Sequence, residues 1–282
     1  MLVFDRITIV GLGLIGGSLG MALRRKRLAR EVVGVSRRAV TARRAKTRGA
    51  VDLGMMDSKR AVREADLVIL ATPVEAIVPT ALRLAKTMRP GSILTDVGSS
   101  KGAIVRALER RLPHHVAFVG GHPLAGSEQQ GIEAADASLF DGSVCILTKT
   151  ARTDPRALAR VRQLWAPLVE RVVLMSPARH DRLLAQMSHL PHVIAFCLAS
   201  AVEREGLAVA PRSFLDMTRI AKSSPQLWDD IFLSNRDGVL ASMARFEHRW
   251  RALRKLITQG RGSSLRRALA RAGAVRHALG DP

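Results

Sequence analysis

The chain has 282 residues, enough for one large core or two modest domains, and a hydrophobic share of 47% that marks it as an ordinary globular protein. Its formal net charge of +21 raises the question of a nucleic-acid partner. The basic residues, however, are mostly arginines scattered in pieces such as RRKR (24–27), RRAVTARR (37–44) and RGSSLRR (261–267), with no nucleic-acid motif, so they read as solvated helix faces and the favoured partner is an acidic metabolite.

The opening MLVFDRITIV places Asp5 and Arg6 inside any would-be apolar leader and runs straight into a strand pattern, so the expected location is the cytosol. Cys145 and Cys197 sit in apolar surroundings without metal-ligand spacing and read as reduced, buried thiols. Residues 6–11 (RITIVG) predict a strand leading into glycines, and a helix follows from about Leu14 to Arg27. Next come a strand at 31–36, a helix from Ala39 to Arg48, a strand at 65–72 and a helix from Ala76 to Lys86. A strand at 92–98, a helix from Lys101 to Arg111 and a strand at 115–121 (HVAFVGG) complete the run. The alternation predicts an α/β, doubly wound parallel sheet. Later strands are predicted at 144–150 and 171–176, with a helix near Pro155 to Leu168 between them.

After Ser176 only helical patterns remain, beginning at Pro177, a residue favoured in a helix's first turn. The stretch from Ala178 to Glu205 is apolar and interrupted only by Pro191. Its longest apolar piece, Val193 to Val202, is too short to span a bilayer, so no membrane partner is expected. A face this apolar needs cover, which predicts a homodimer through the helical half. The domain reading is a dinucleotide-binding domain over 1–175 and an all-α substrate and dimerisation domain over 176–282.

Gly11-Leu12-Gly13-Leu14-Ile15-Gly16 is a G-x-G-x-x-G between strand and helix. Gly11 permits the tight turn, Gly13 lets the backbone approach a pyrophosphate, and Gly16 allows close helix–strand packing; the helix N-terminus faces the negative charge. This is the Rossmann-type fingerprint of NAD or NADP, and Leu14, Ile15, Thr72 and Pro73 are assigned to the same cofactor site. Where NAD enzymes carry an acidic residue at the end of the second strand, this chain has Ser36-Arg37-Arg38. A hydroxyl and two guanidiniums suit a 2′-phosphate, which favours NADP, with NAD possible.

Three further segments bear chemistry. DVGSSK (96–101) ends a strand, where Ser99 and Lys101 can point into the cleft; GGHPLAGSE (120–128) again follows a strand; SHLPH (188–192) opens the helical half. Three of the chain's eight histidines fall in the last two. Strand-end location and neighbouring glycines mark His122 as functional.

GLGLIGGS (11–18), DVGSSKG (96–102), GGHPLAGSE (120–128), SHLPH (188–192) and TRIAKSSPQLWDDI (218–231) together resemble the prephenate/arogenate (cyclohexadienyl) dehydrogenase family of tyrosine biosynthesis. That resemblance implies an NAD(P)-dependent oxidoreductase that oxidatively decarboxylates prephenate or arogenate, with arogenate and NADP favoured by the SRR stretch. It implies His122 as catalytic, Ser99 as its hydrogen-bonding companion, and His189 and His192 as lining the substrate pocket. Arg219 would clamp a substrate carboxylate, and Glu128, Lys101 and Trp228 would lie around the pocket. A neutral imidazole can accept the hydroxyl proton as hydride leaves the same carbon, and no spacing suggests a metal. The alternatives are another two-domain dehydrogenase such as a β-hydroxyacid dehydrogenase, and a basic regulatory protein using the dinucleotide fold as a sensor.

Overall fold

The computed structural model describes residues 2–127 and 129–278, which fall into two compact units, 1–236 and 237–282. In the first, β-branched runs form six strands: β1 (Phe4–Val10), β2 (Ala29–Val35), β3 (Leu53–Met55), β4 (Leu67–Leu70), β5 (Ser92–Asp96) and β6 (Val116–Val119). They make one parallel sheet in the order β3-β2-β1-β4-β5-β6. The connecting helices are α1 (Leu14–Arg25), α2 (Ala39–Thr47), α3 (Ser58–Val62), α4 (Val74–Ala85) and α5 (Gly102–Arg111). Both sheet faces are covered. Phe4, Ile7, Ile9, Leu19, Phe140 and Trp165 belong to one core cluster, and Val33, Val68, Leu70, Ile77, Leu94 and Leu108 to the other. Strands buried on two faces need apolar residues at every position, which is why β4 reads Leu-Val-Ile-Leu without alternation.

The strand order reverses between β1 and β4, so a cleft opens at their carboxyl ends. β3 and α3 are not predicted by the sequence pattern. Three residues carry no period, and Leu53-Gly54-Met55 owes its place to contact: a Cβ on Gly54 would stand 2.4 Å from the Ala42 carbonyl of α2.

The strand expected at 115–121 is two strands. β6 ends at Val119, and β7 (Gly121–Pro123) belongs to a second sheet with β8 (Val144–Thr148) and β9 (Arg171–Met175), β7 antiparallel and β9 parallel to β8. Gly120 and Gly121 make the switch, because a Cβ on Gly120 would meet Thr148 Oγ1 at 2.5 Å and one on Gly121 the Asp96 carbonyl at 2.8 Å. The later strands therefore form their own small sheet rather than extending the parallel one. Between β8 and β9 lies α6 (Pro155–Trp165), capped by the Asp154 carboxylate on the Ala157 N–H at 2.7 Å.

The change to helices comes at α7 (Pro177–Leu184), where Ser176 Oγ accepts from the Arg179 N–H and Pro177 takes the first turn. Pro191 does not break the helical run. Residues 185–189 widen into one π-turn and the chain continues into α8 (Leu190–Ser200). A wider turn relieves the clash a proline ring makes with the carbonyl four residues back, and His192 Nδ1 donates to the Ser188 carbonyl at 2.9 Å. The result is an unbroken helix of 24 residues, Pro177–Ser200, which by length and composition is long enough to cross a membrane. The apolar residues at 193–200 are the C-terminal part of that longer helix. Arg179, Asp181 and Arg182 charge its first turns. Cys197, expected to be buried, is exposed on α8, whereas Cys145 is buried in β8. Helices α9 (Arg212–Thr218) and α10 (Pro225–Ser234) complete this unit.

The second unit holds most of α11 (Arg236–Thr258) and all of α12 (Gly262–His277), joined through Gly260 at φ +60. On α11, Phe246 and Trp250 stack at 6.2 Å between ring centroids, with Trp250 61% exposed.

Candidate active site

Two cavities meet at the sheet's carboxyl edge. The first, about 690 Å³, is lined by Gly13, Leu14, Ile15, Thr72, Pro73 and Ser99 among others. Its glycine turn at 11–16 is a backbone feature. Gly11 turns at φ +102, with a Cβ there only 2.3 Å from the Ala71 carbonyl, and a Cβ on Gly16 would fall 1.9 Å from the Gly11 carbonyl. Nothing stands within 4 Å of a Cβ built on Gly13. Thus Gly11 and Gly16 pack the turn, and Gly13 leaves open space for a ligand. Helix α1 starts at Leu14 with no side-chain cap, so its first N–H groups remain available to an anion. Thr72 Oγ1 is a buried hydroxyl without a partner beside them. This cradle fits a dinucleotide pyrophosphate. Ser36 is half-buried and Arg37 and Arg38 are exposed at the end of β2, outside the lining, with Ser36 Oγ accepting from the Arg38 N–H at 3.2 Å.

The second cavity, about 670 Å³, is made of side chains. Ser99, His122, His189, His192, Arg219 and Trp228 all line it. Ser99 also lines the first cavity, as do Ala125, Gly126 and Ser127, so the two are continuous. Residues far apart in the chain, from Ser99 to Trp228, thereby converge on one space.

His122 stands in β7, held in the sheet opposite Ile146. Its ring partner is His180 of α7, with Nδ1 2.8 Å from His180 Nε2 and the rings tilted at 57°. Ser99, the partner expected from sequence, lines the cavity but makes no hydrogen bond to the ring. His180 Nδ1 in turn lies 2.8 Å from Asp181 Oδ1. The Asp181 carboxylate also accepts the Lys101 and Gly102 N–H groups at the start of α5, both at 2.8 Å. Burial, then the neighbouring His180, Lys101 and His189, hold the His122 pKa well below its usual value, so the ring is neutral near pH 7. Burial lowers His180 as well, although Asp181 opposes it. Burial pushes the Asp181 carboxyl up, but hydrogen bonds from His180 and the two backbone N–H groups outweigh it and its pKa is lowered.

His189 is 1% exposed and sits in the π-turn. Burial takes its pKa down to about 4. Its Nδ1 is 3.2 Å from the Asn235 side-chain amide nitrogen, which also donates to the Asp181 carbonyl at 2.8 Å. Trp228 of α10 stacks on His192 with centroids 3.5 Å apart at 22° and meets His189 edge-on at 6.1 Å. Trp228 is therefore both a wall of the cavity and the support for His192. Arg219 follows α9, and His192 has its pKa lowered by burial and by the positive charge of Arg219.

Lys101 departs from the expectation. It is fully buried, is not among the lining residues, and its ammonium pairs with Asp96. Asp96 also accepts from the Gly98 N–H at 2.9 Å and the Gly121 N–H at 3.2 Å. The pair fixes the two strand ends that carry Ser99 and His122. Burial lowers the Lys101 pKa against the pull of Asp96. Glu128 lies outside the described residues. His180, Asp181 and Asn235 were missed by sequence reasoning. The only signal was the His-Asp pair two turns ahead of SHLPH, in a helix otherwise rich in arginine.

Residues 19–174 match the family described as prephenate dehydrogenase, nucleotide-binding domain, and residues 176–271 match the prephenate dehydrogenase dimerization domain. The chain is 38% identical over 272 residues to the cyclohexadienyl dehydrogenase of Zymomonas mobilis, covering 94% of this chain and 92% of that protein. Two solved structures are similar across the whole fold. Prephenate dehydrogenase from Aquifex aeolicus, in complex with hydroxyphenyl propionate and NAD+, has a TM-score of 0.90 at 33% identity, covering 98% of both chains. Synechocystis arogenate dehydrogenase has a TM-score of 0.83 at 34% identity, covering 97% of this chain and 99% of that one.

Proposed function

The chain belongs to the prephenate dehydrogenase family, and on that premise we propose which of its residues carry the chemistry. It is an NAD(P)-dependent oxidoreductase that oxidatively decarboxylates a cyclohexadienyl acid, prephenate or arogenate. The observation that carries the reading is a neutral imidazole, His122, lining a cavity that also holds Arg219 and joins the dinucleotide cleft at Ser99.

When bound, the nicotinamide supplies a hydride acceptor. His122 takes the hydroxyl proton of the substrate as hydride leaves the same carbon, so carbonyl character develops there. The electrons of the opposite carboxylate bond flow into the ring, carbon dioxide departs, and Arg219 keeps the remaining anionic side chain in register through its planar fork. Ser99, at the junction of the cavities, orients the hydroxyl. His189 and His192 line the ring's pocket, with Trp228 behind them.

Ser36, Arg37 and Arg38 support NADP over NAD. Neither arginine has an ion pair among the described residues, and the position carries no carboxylate to hold a ribose 2′-hydroxyl. Arogenate is the favoured substrate. The active form is a homodimer, supported by the match of 176–271 to a dimerization domain and by the exposure of Leu207, Val209, Leu215, Met217 and Leu233. A two-by-two assay of both substrates with both cofactors tests the assignment. Activity with arogenate and NADP is expected; robust activity with NAD and none with NADP would overturn the reading of 36–38.

A further inference from the structure

We infer that Asp181 sets the two cavity histidines to opposite hydrogen-bonding senses, making His122 an acceptor and His189 a donor toward the substrate. The inference rests on the base role given to His122 and adds the machinery behind it.

The protons can be placed one by one, starting from the carboxylate. A carboxylate only accepts, so the His180 Nδ1 that faces Asp181 Oδ1 at 2.8 Å carries hydrogen. His180 is neutral near pH 7 because burial lowers its pKa, so its Nε2 is a lone pair. The ring nitrogen facing that lone pair at 2.8 Å, His122 Nδ1, must then be the donor. The remaining nitrogen of His122, Nε2, is a lone pair with no protein partner among the described residues, and the ring lines the cavity.

The second histidine is set by the backbone of the same residue. The Asp181 carbonyl accepts from Asn235 Nδ2 at 2.8 Å, which fixes the orientation of that amide. An amide nitrogen only donates, so His189 Nδ1, 3.2 Å away, accepts, and Nε2 of His189 carries the hydrogen. Burial keeps this ring neutral with a pKa of about 4. One wall of the cavity therefore offers a base and another offers an N–H. A cyclohexadienol with a hydroxyl to deprotonate and carbonyl or carboxylate oxygens to hold needs both.

The arrangement also uses what would otherwise be idle. Asp181 ties down the first N–H groups of α5, the helix that follows Ser99, so the histidine relay and the junction of the two cavities share an anchor. His180 and Asn235 are positioning residues, since neither lines the cavity.

The test is nitrogen-15 NMR of the histidine rings in the unliganded dimer at pH 7, read beside steady-state kinetics with arogenate and prephenate. The wild type should show His122 protonated at Nδ1 and His189 at Nε2. His180→Leu should lower kcat by about 100-fold, the lower end of what a general base contributes, and His180→Gln, whose carbonyl can accept from His122, should recover much of it. Asn235→Asp should move the His189 proton to Nδ1 and raise KM about tenfold, the worth of one hydrogen bond at roughly 1.4 kcal/mol, with kcat less affected. A wild-type spectrum with His122 protonated at Nε2, or His180→Leu within threefold of wild-type kcat, overturns the inference. The base role itself is separable. If His122→Asn is inactive while His180→Leu keeps kcat within threefold of wild type, the relay fails and the base role stands; an active His122→Asn sinks both.

Discussion

The two adjoining cavities are built from different materials. The dinucleotide cleft is a backbone site, in which a turn at Gly11, open space at Gly13 and an uncapped α1 leave N–H groups facing an anion. The cavity beside it is a side-chain site, with four aromatic rings and an arginine delivered from β7, the π-turn, α8, α10 and the segment after α9. A backbone site needs a short local run with fixed spacing. A side-chain site needs distant elements packed correctly, and its groups take their protonation from residues that never touch the ligand. Loss of a single group should accordingly damage turnover in the second cavity and affinity in the first.

The largest expected effect is at His122. Replacement by Asn should lower kcat by a factor on the order of 100 to 10,000 while the dissociation constant for the dinucleotide, followed by fluorescence titration, stays within about threefold. Arg219→Ala should cost roughly 10- to 100-fold in kcat/KM, the range for a lost hydrogen bond to a charged group. If that loss appears for the dinucleotide instead of the acid, the division between the cavities is wrong.

On the cleft side, Gly13→Ala should leave the melting temperature unchanged, since its methyl meets nothing, yet raise KM for the dinucleotide severalfold by occupying the pyrophosphate's path. Gly16→Ala is the contrasting variant. Its methyl would fall 1.9 Å from the Gly11 carbonyl, so the melting temperature itself should drop. Equal melting curves for the two would erase the distinction between packing and ligand-facing glycines. Arg37→Ala with Arg38→Ala should raise KM for NADP by about tenfold and leave NAD nearly untouched, because the guanidiniums are solvent-screened and address only the extra phosphate.

The smallest effect is on stability against pH. His122, His180 and His189 all have pKa values below the ordinary 6.5 in the folded chain, His189 at about 4. As pH falls below 6.5 the unfolded chain binds protons first, so stability is full above that pH and declines progressively toward 4. Melting temperatures measured from about pH 7.5 to 5 should fall. The acid limb of kcat/KM should lie well below 6.5, and an inflection at 6.5 would mean that His122 is not shielded.

The same contrast accounts for how much was legible in the sequence alone. Gly11 to Gly16, most of the strand periods and the helix start at Ser176-Pro177 are local signals with fixed offsets and fall where expected, whereas the run at 115–121 is split at Gly120 and the three-residue β3 carries no signal. His122 is marked by its strand-end place among glycines, His189, His192, Arg219 and Trp228 by motif resemblance, and all five share one cavity. Lys101 shows the limit of that reasoning. Its position near Ser99 suggested the cleft, but a four-carbon stem reaches either way, and only the packing of β5 against β7 shows it pairing inward with Asp96. His180, Asp181 and Asn235 left no signal beyond an adjacent His-Asp pair because their importance lies in contacts across 46 to 80 positions, which no spacing within a motif encodes.

The widened turn at 185–189 acts as a phase shift. One residue more than an α-helical turn requires rotates everything after it by about 100° relative to an uninterrupted helix. A heptad drawn straight through 177–200 would therefore assign the wrong residues to each face of the helix. Deleting a single residue there would keep the helix yet swing His192 off the Trp228 ring and re-aim the apolar residues 193–200 together. The histidine-lined cavity and the apolar residues 193–200 are thus indexed to the same one-residue insertion, and neither can drift in register without the other.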